Sequence, residues 1–323
     1  FQCHQLIQSI QTFINLELIM NDCLTGEFRL YYKNDRIRLG GNVMNAIEIK
    51  NLTKSYNGFK LDNLNLTLPS GCILGLIGEN GAGKSTTIKL ILDMIHKDSG
   101  TVKILGKDNT DNLRLTKEDI GIVMDEVGIP ECLNIKQIGN IMKHTFKNWD
   151  AAEYKRLTDK FSLPDNKQFK DFSRGMKMKT GIAVALSHSS KLLLLDEATS
   201  GLDPVARDEV MEMLIEFTRD ENHSVLISSH IVSDLEKLCD YIAFIHKGKL
   251  ILCEEKDMLL DQYVFINTTE EQLAELDASA VKGKKSSKWG TEAIVDRSLI
   301  PSSFETKPIT IEDLFVFMAK EEK

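Results

Sequence analysis

The stretch that decides the fold reads Gly78-Glu79-Asn80-Gly81-Ala82-Gly83-Lys84-Ser85-Thr86. It has the P-loop spacing G-x-x-x-x-G-K-[ST], in which glycines let backbone N–H groups curl around phosphate oxygens. The apolar run 72–77 before it predicts a buried strand, and residues 84–95 predict a helix with one apolar face. The partial positive charge of the helix N-terminus favours phosphate at the same place. Lys84 is predicted to reach the β- and γ-phosphates and Ser85 to bind a Mg²⁺ ion.

A run of leucines that ends in two acids follows at Leu192-Leu193-Leu194-Leu195-Asp196-Glu197. Its continuous apolar character predicts a central parallel strand covered by helices on both faces. Open α/β sheets bind ligands at the carboxyl ends of such strands. Asp196 can therefore hold Mg²⁺ directly or through water, and Glu197 can take a proton from the water that attacks a γ-phosphate. The alternative is that both acids form a solvated pair at the strand end.

Further segments complete the pattern: Phe172-Ser173-Arg174-Gly175-Met176, Ala198-Thr199-Ser200-Gly201-Leu202-Asp203-Pro204, and His230 after the apolar strand 224–228. With these motifs in this order, residues 44–253 resemble the ATP-binding subunit of ABC transporters. The resemblance implies an α/β fold of the P-loop NTPase type, with a mostly parallel core sheet, a small antiparallel β-subdomain and an α-helical subdomain. It also implies that two such domains close head to tail, with each ATP between one P-loop and the other copy's signature segment, residues 172–176.

Several side chains receive roles from this resemblance alone. Tyr56 resembles the aromatic residue that stacks on adenine, and a tyrosine at a sheet edge is the alternative. Ser173 and Gly175 resemble the residues that touch the partner's γ-phosphate, and Ser173 also suits the N-cap of a helix that runs to residue 186. The segment from Ser200 to Asp203 resembles the loop that communicates between the two sites. His230 resembles the histidine that contacts the γ-phosphate.

Two departures from the family pattern bear on hydrolysis. The family signature is Leu-Ser-Gly-Gly-Gln, whereas here Arg174 replaces the first glycine and Met176 the glutamine. Arg174 either strengthens the nucleotide contact or points to solvent. Asp125 stands where the family has a glutamine that approaches Mg²⁺ and the attacking water. An ionised aspartate can bind a cation but cannot donate a hydrogen bond, so hydrolysis is expected to be tuned differently. These departures resemble ATPases that serve ABC-2-type exporters.

The composition restricts the partners of the chain. Its 323 residues are 42% hydrophobic and 27% charged, which is ordinary for a globular protein. No apolar stretch approaches the roughly 18–20 residues needed to cross a bilayer, so a transport path is expected on a separate multi-span permease. A net charge of −8 argues against nucleic-acid binding. Six cysteines without a C-x-x-C pair indicate reduced thiols and no metal site among them.

The beginning of the chain lacks the family resemblance. Met44 resembles the usual start of the first strand, and the preceding Gly40-Gly41 pair can be encoded by a ribosome-binding sequence. Residues 1–43 are therefore predicted to be translated upstream DNA or another artefact, non-native or disordered. A genuine short extension with a helix near residues 5–20 is the alternative.

The ATPase domain is expected over residues 44–260, with a helical subdomain at about 130–187 that docks the permease. Its core positions are predicted to be Ile135, Ile138, Ile141, Met142, Tyr154, Leu157 and Phe161. Residues 241–253 are predicted to form a hairpin. Residues 261–323 are expected to be a small C-terminal extension. Its predicted parts are a helix near residues 270–276, a solvated loop at Lys282-Gly283-Lys284-Lys285, and a last helix at residues 309–319 that packs on the ATPase.

The expected function is ATP hydrolysis that powers a separate permease, in the direction of export, at the cytoplasmic face of the cell membrane. A homodimer is favoured because this one chain carries both halves of a complete site; a heterodimer with a second ATPase stays open. Two other functions also stay open. One is an ABC-type ATPase without a permease, and the other is a regulatory subunit with little turnover.

Overall fold

The computed structural model describes residues 44–110, 117–287 and 290–321. Met44–Lys323 form one compact unit, which starts at the methionine where the family resemblance begins. The hypothesis about residues 1–43, including a helix near residues 5–20, lies outside the described residues.

A mixed, mostly parallel sheet forms the centre of this unit. Its strands in chain order are β3 (Ile73–Ile77), β6 (Ile120–Val123), β7 (Leu192–Asp196), β8 (Ser224–Ser229), β9 (Tyr241–His246) and β10 (Lys249–Glu255). Their spatial order is β10-β9-β3-β8-β7-β6, and only the β9–β10 hairpin is antiparallel among these pairs. Every residue of β3, β7 and β8 is buried, as continuous apolar runs predict. The predicted P-loop strand, leucine strand and hairpin are therefore confirmed.

An antiparallel sheet packs against the central one. It has the order β2-β1-β4-β5 and consists of β1 (Asn45–Tyr56), β2 (Phe59–Pro69), β4 (Ser99–Ile104) and β5 (Lys107–Asp108). Alternate residues of β2 point inward, so Leu64, Leu66 and Leu68 are buried together with Leu74 and Leu192 of the central sheet. This sheet is the predicted antiparallel β-subdomain.

Helices cover the central sheet. They are α1 (Lys84–Ile91), α2 (Ile135–Thr145), α3 (Ala151–Lys160), α4 (Arg174–Leu186), α5 (Pro204–Phe217) and α6 (Val232–Leu238). The prediction that the P-loop helix continues to Ile95 was wrong, because α1 ends at Ile91. Asp93 adopts φ +50°, and the Met94 N–H bonds back to the Lys89 carbonyl at 2.9 Å, which closes the helix end.

The region predicted as the helical subdomain, at about residues 130–187, contains α2, α3 and α4. Asn134 and Asp150 cap α2 and α3 with side-chain oxygens, and the Tyr154 hydroxyl donates to the Ile135 carbonyl at 3.1 Å. Most of the predicted core positions are buried. Ile141 is an exception, since it is 45% exposed on the outer face of α2.

The C-terminal region is more structured than the sequence indicated. It contains α7 (Lys256–Gln262), β11 (Tyr263–Thr268), α8 (Glu270–Ala274), β12 (Val281–Ser287), β13 (Gly290–Asp296), β14 (Thr306–Lys307) and α9 (Ile311–Glu321). The strands form an antiparallel sheet of order β12-β13-β11-β14. The solvated loop predicted at Lys282–Lys285 was wrong, because these residues lie in β12. The packing of the last helix is confirmed, since the ring centroids of Phe315 and Phe244 lie 5.4 Å apart.

Candidate nucleotide site

Three parallel strands bring the predicted catalytic segments to one edge of the central sheet. The P-loop follows β3. Asp196 is the last residue of β7 and Glu197 is the next one, while His230 comes directly after β8. Because β3 and β7 both pair with β8 in parallel, their carboxyl ends meet at the same edge. The structure thus joins residues that are far apart in the sequence.

The P-loop backbone requires its glycines. Gly81 and Gly83 adopt φ +81° and +119°, in the left-handed region that disfavours side chains. A Cβ at Gly78 would lie 2.5 Å from the Ile245 carbonyl oxygen. Lys84 is only 5% exposed, and its Nζ donates to the Gly78 carbonyl at 2.7 Å. In contrast, the tip of the loop is open to solvent at Glu79, Asn80 and Gly81, with Ala82 buried and Ser85 and Thr86 half-buried at the helix start.

Asp196 is a buried carboxylate that lacks a cation among the described residues. It is 2% exposed, and the Ser228 hydroxyl donates to its Oδ1 at 2.6 Å. No lysine or arginine of the described chain lies within ion-pair distance of it. The buried Asp196 carboxylate and the Ser85 hydroxyl are oxygen ligands of the hard kind that Mg²⁺ prefers, so the chemistry of these two residues fits the ion.

Glu197 lies between two cationic or protonatable groups. Its Oε1 is 3.3 Å from Lys84 Nζ and its Oε2 is 2.6 Å from His230 Nδ1, while its side chain is 13% exposed. Its backbone N–H donates to the carbonyl and the hydroxyl of Ser228, each at 3.1 Å, and its φ is +53°. Neither acid is solvated, so the alternative of an exposed acidic pair was wrong.

Ser228 was missed as a site residue by the sequence analysis. It holds Asp196 through its hydroxyl and Glu197 through both of its oxygens. The signal was a polar residue at the end of a buried apolar strand. His246 at the end of β9 was also missed: it is 4% exposed, and its Nδ1 lies 3.7 Å from Glu79 Oε2. A histidine in an apolar strand has no sequence signal that separates this position from ordinary core.

The signature segment begins helix α4 as predicted. The Ser173 hydroxyl accepts the Met176 N–H at 3.2 Å, and Ser173 is exposed while Gly175 is half-buried. Arg174 does not simply point to solvent, because its guanidinium forms an ion pair with the Asp125 carboxylate. Asp125, which the sequence predicts as a metal ligand, therefore pairs with Arg174 in this structure.

The loop that ends at Asp203 leads into α5. The Asp203 carboxylate caps this helix by accepting the Ala206 N–H at 3.0 Å, and that bond lowers the pKa of Asp203 below its usual value. The Asp203 side chain is exposed. Its observed role is therefore local, and its role between two sites stays a prediction.

Tyr56 lies at the end of the β1–β2 hairpin, beside the P-loop. It pairs directly with Phe59, and a Cβ at Gly83 would lie 3.1 Å from the Phe59 ring. The Tyr56 side chain is 47% exposed, and Lys54 Nζ lies 5.5 Å from its ring centroid. Phe59, the strand partner of Tyr56, thus lies beside the P-loop, and stacking of the Tyr56 ring on a base stays a prediction.

Comparison with known proteins decides the family. A family profile described as ABC transporter matches residues 61–200. The Streptococcus pyogenes protein "Lantibiotic transport ATP-binding protein SrtF" is 39% identical over 215 residues, which cover 65% of this chain and 91% of that protein. This chain belongs to the ABC transporter family. The Bacillus subtilis "Uncharacterized ABC transporter ATP-binding protein YhcH" is 31% identical over 300 residues, 86% of this chain and 97% of that protein.

Solved structures agree with this assignment. A structure described as the ATP-binding subunit of an ABC transporter has a TM-score of 0.61 and 27% identity, and covers 67% of this chain and 92% of that one. The predicted fold class and family are therefore confirmed, and this chain is an ABC ATPase, the ATP-binding subunit of a transporter. In the part of the chain that the structure describes, no helix is both long and apolar enough to cross a bilayer. Membership of the family implies a membrane permease as partner.

Proposed function

We propose that two copies of this ABC ATPase close head to tail over ATP, hydrolyse it, and thereby drive a separate permease that exports its substrate. The observation that carries this proposal is the Glu197 carboxylate between Lys84 Nζ and His230 Nδ1, at 3.3 and 2.6 Å. A half-buried carboxylate beside an imidazole, at the edge of the sheet where the P-loop lies, is suited to general-base catalysis.

The proton of the attacking water goes to Glu197 in this mechanism. His230 is close enough to Glu197 to share that proton and to orient the carboxylate. Lys84 now contacts the Gly78 carbonyl and Glu197, and a bound triphosphate would take over that cation. The backbone N–H groups of the P-loop and the α1 N-terminus would bind the remaining phosphate oxygens.

Ser85 and Asp196 would hold Mg²⁺, and Ser228 would keep the Asp196 carboxylate in place through its 2.6 Å hydrogen bond. When bound, the ion would neutralise charge on the phosphate oxygens during transfer. Asp125 stays a prediction as a further ligand, since Arg174 engages its carboxylate in this structure.

The dimer is supported by two segments of the nucleotide site that are exposed in a single chain. The P-loop tip at Glu79–Gly81 and the signature residues Ser173 and Arg174 are exposed. One chain carries both segments, so two identical copies would form two complete sites. We therefore propose a homodimer, and a second kind of ATPase in the isolated complex would favour a heterodimer instead.

The permease would bind the helical subdomain, where Ile141 presents an apolar side chain that is 45% exposed on α2. The chain would thus lie at the cytoplasmic face of the membrane through its partner. A role in transport is supported by the name of SrtF, "Lantibiotic transport ATP-binding protein", and the export direction rests on the resemblance of residues 125 and 174–176 to ATPases of ABC-2-type exporters. The net charge of −8 gives no support for nucleic-acid binding.

Replacing Glu197 by glutamine tests the catalytic part of this proposal. The variant should bind ATP, lose about 100- to 10,000-fold in turnover, which is the usual contribution of a general base, and accumulate as a dimer. Light scattering after gel filtration with ATP measures the dimer, and phosphate release measures turnover. Glu216→Gln is the matched control, because Glu216 is exposed and pairs only with Arg219 among the described residues. Wild-type turnover in Glu197→Gln would exclude Glu197 as the base.

Purification of the tagged chain from membranes tests the transporter part. A multi-span protein should accompany the wild-type chain at a constant ratio. Its absence, with normal ATP hydrolysis, would favour an ATPase that works without a permease. Its presence with negligible hydrolysis would favour a regulatory subunit.

A further inference from the structure

Two of the three residues that depart from the family pattern, Arg174 and Asp125, contact each other. Arg174 is the first residue of α4, and Asp125 lies in the loop after β6, 49 positions earlier. The guanidinium Nη2 of Arg174 pairs with Asp125 Oδ1. Both side chains are about half exposed, at 54% and 49%. The pair therefore joins the loop next to the chain's own site with the segment that would serve its partner.

Arg174 also reaches the loop after β7. Its Nη2 lies 3.4 Å from the Ser200 hydroxyl. A Cβ at Gly201 would lie 2.9 Å from Arg174 Cδ, so the aliphatic part of Arg174 covers that glycine. One side chain thus contacts two loops besides its own helix.

The charge of Arg174 is unfavourable for its own helix. The first turn of α4 contains no acidic residue, and the N-terminus of a helix disfavours a cation. The Asp125 carboxylate supplies the negative charge that the helix start lacks. Any other anion that came close to Ser173 would compete with Asp125 for the same guanidinium.

We propose that Arg174 is a positioning residue that exchanges Asp125 for the triphosphate bound to the partner copy. When the dimer closes, the phosphate next to Ser173 takes the guanidinium and releases Asp125 toward the chain's own site. ATP at one site of the dimer thereby changes the loop of the other site. This inference rests on the head-to-tail dimer of the proposed function.

The exchange makes opposite predictions for the two partners of the pair. Asp125→Asn removes the competitor, so less ATP is needed for dimerisation. Arg174→Gln removes the cation, so more ATP is needed. Exposed ion pairs contribute little, so each shift in the ATP concentration at half-maximal dimerisation should be about two- to five-fold. Arg174→Lys keeps the positive charge, so its ATP concentration at half-maximal dimerisation should stay close to that of the chain with Arg174.

A double-mutant cycle in the Glu197→Gln chain provides the test, with dimer fraction measured against MgATP concentration. With Arg174→Gln already present, Asp125→Asn should have no further effect. If Asp125→Asn shifts the midpoint equally in both backgrounds, or raises it, the exchange is wrong and Asp125 acts independently. Asp165→Asn is the control, because Asp165 forms a similar surface ion pair whose partner is Lys136. The Lys136 Nζ–Asp165 Oδ2 distance is 3.1 Å, and neither residue belongs to these loops.

The outcome separates this inference from the proposed function. If the Glu197→Gln chain fails to dimerise with ATP at all, the proposed dimer is wrong. If it dimerises but the two substitutions act additively, only the exchange is wrong. Thermal unfolding of each variant checks that the fold is retained.

Discussion

Removal of the Ser228 hydroxyl should damage both stability and catalysis. Ser228→Ala deletes the 2.6 Å hydrogen bond to the buried Asp196 carboxylate and one acceptor for the Glu197 N–H. A hydrogen bond to a charged group contributes about 1.5–3 kcal/mol. The melting temperature should therefore fall by about 3–12 °C, at roughly 2–4 °C per kcal/mol for a domain of this size.

Turnover should also fall in Ser228→Ala, by about 10- to 150-fold if the same free energy is lost from the transition state. The reason is that Ser228 holds both carboxylate-bearing residues at the sheet edge. Calorimetry and phosphate release at saturating MgATP are the assays. Ser229→Ala is the matched control: Ser229 is equally buried, but its hydroxyl accepts only the Ile231 N–H at 3.0 Å among the described residues.

The comparison of Ser228→Ala with Ser229→Ala tests whether Ser228 positions the two carboxylates. Ser229→Ala should lose about 0.5–1.5 kcal/mol of stability, the usual value for a neutral hydrogen bond, and keep its turnover. If Ser228→Ala hydrolyses ATP within twofold of the wild-type rate, Ser228 does not position the carboxylates. Equal losses of turnover in both variants would show a general effect of cavities in β8.

Three further predictions concern other parts of the chain. Stacking of a base on an aromatic ring contributes about 1–3 kcal/mol. Tyr56→Ala should therefore weaken ATP binding about 5- to 150-fold in a nucleotide titration, while Tyr56→Phe should bind ATP normally. Equal ATP affinities of Tyr56→Ala and the wild-type chain would favour the sheet-edge alternative. Gly248→Ala should destabilise the fold by at least about 2 kcal/mol in urea unfolding. The reason is that φ at Gly248 is +80° and a Cβ there would lie 1.8 Å from the Lys60 carbonyl oxygen. Gly58→Ala is the control: Gly58 has φ +83° but lies in open space, so the variant should lose only about 1 kcal/mol. Burial lowers the pKa of His188 from its ordinary value of 6.5, so the folded state binds this proton less well than the unfolded state. Stability should thus fall as the pH drops below 6.5, and less so in His188→Gln; an equal loss would assign the pH dependence to other groups.

The core of the fold and site was predictable from local patterns. Continuous apolar runs such as Leu192–Leu195 specify buried parallel strands, and parallel strands bring their ends together without further information. For that reason Lys84, Glu197 and His230 could be grouped before any contact was known. The motif glycines specify their own backbone conformations in the same way.

What could not be predicted depended on contacts between distant loops or on single backbone angles. The Arg174–Asp125 pair joins two loops whose separation is not fixed by any periodicity. Helix α1 ends early because Asp93 takes a positive φ, which a helical apolar pattern does not reveal. Strand β12 contains three lysines beside a glycine, and such composition is more common in loops than in strands.

The backbone of Glu197 has a consequence for attempts to improve this protein. A glutamate at φ +53° has a conformational penalty of about 1–2 kcal/mol that glycine would not have and asparagine would have in smaller part. A library screened only for heat resistance would favour glycine or asparagine at position 197 wherever this gain exceeds the loss of the Glu197–Lys84 ion pair, and such variants would lack the proposed base. Directed evolution of this ATPase must select for phosphate release together with thermal tolerance, because at this residue the two properties oppose each other.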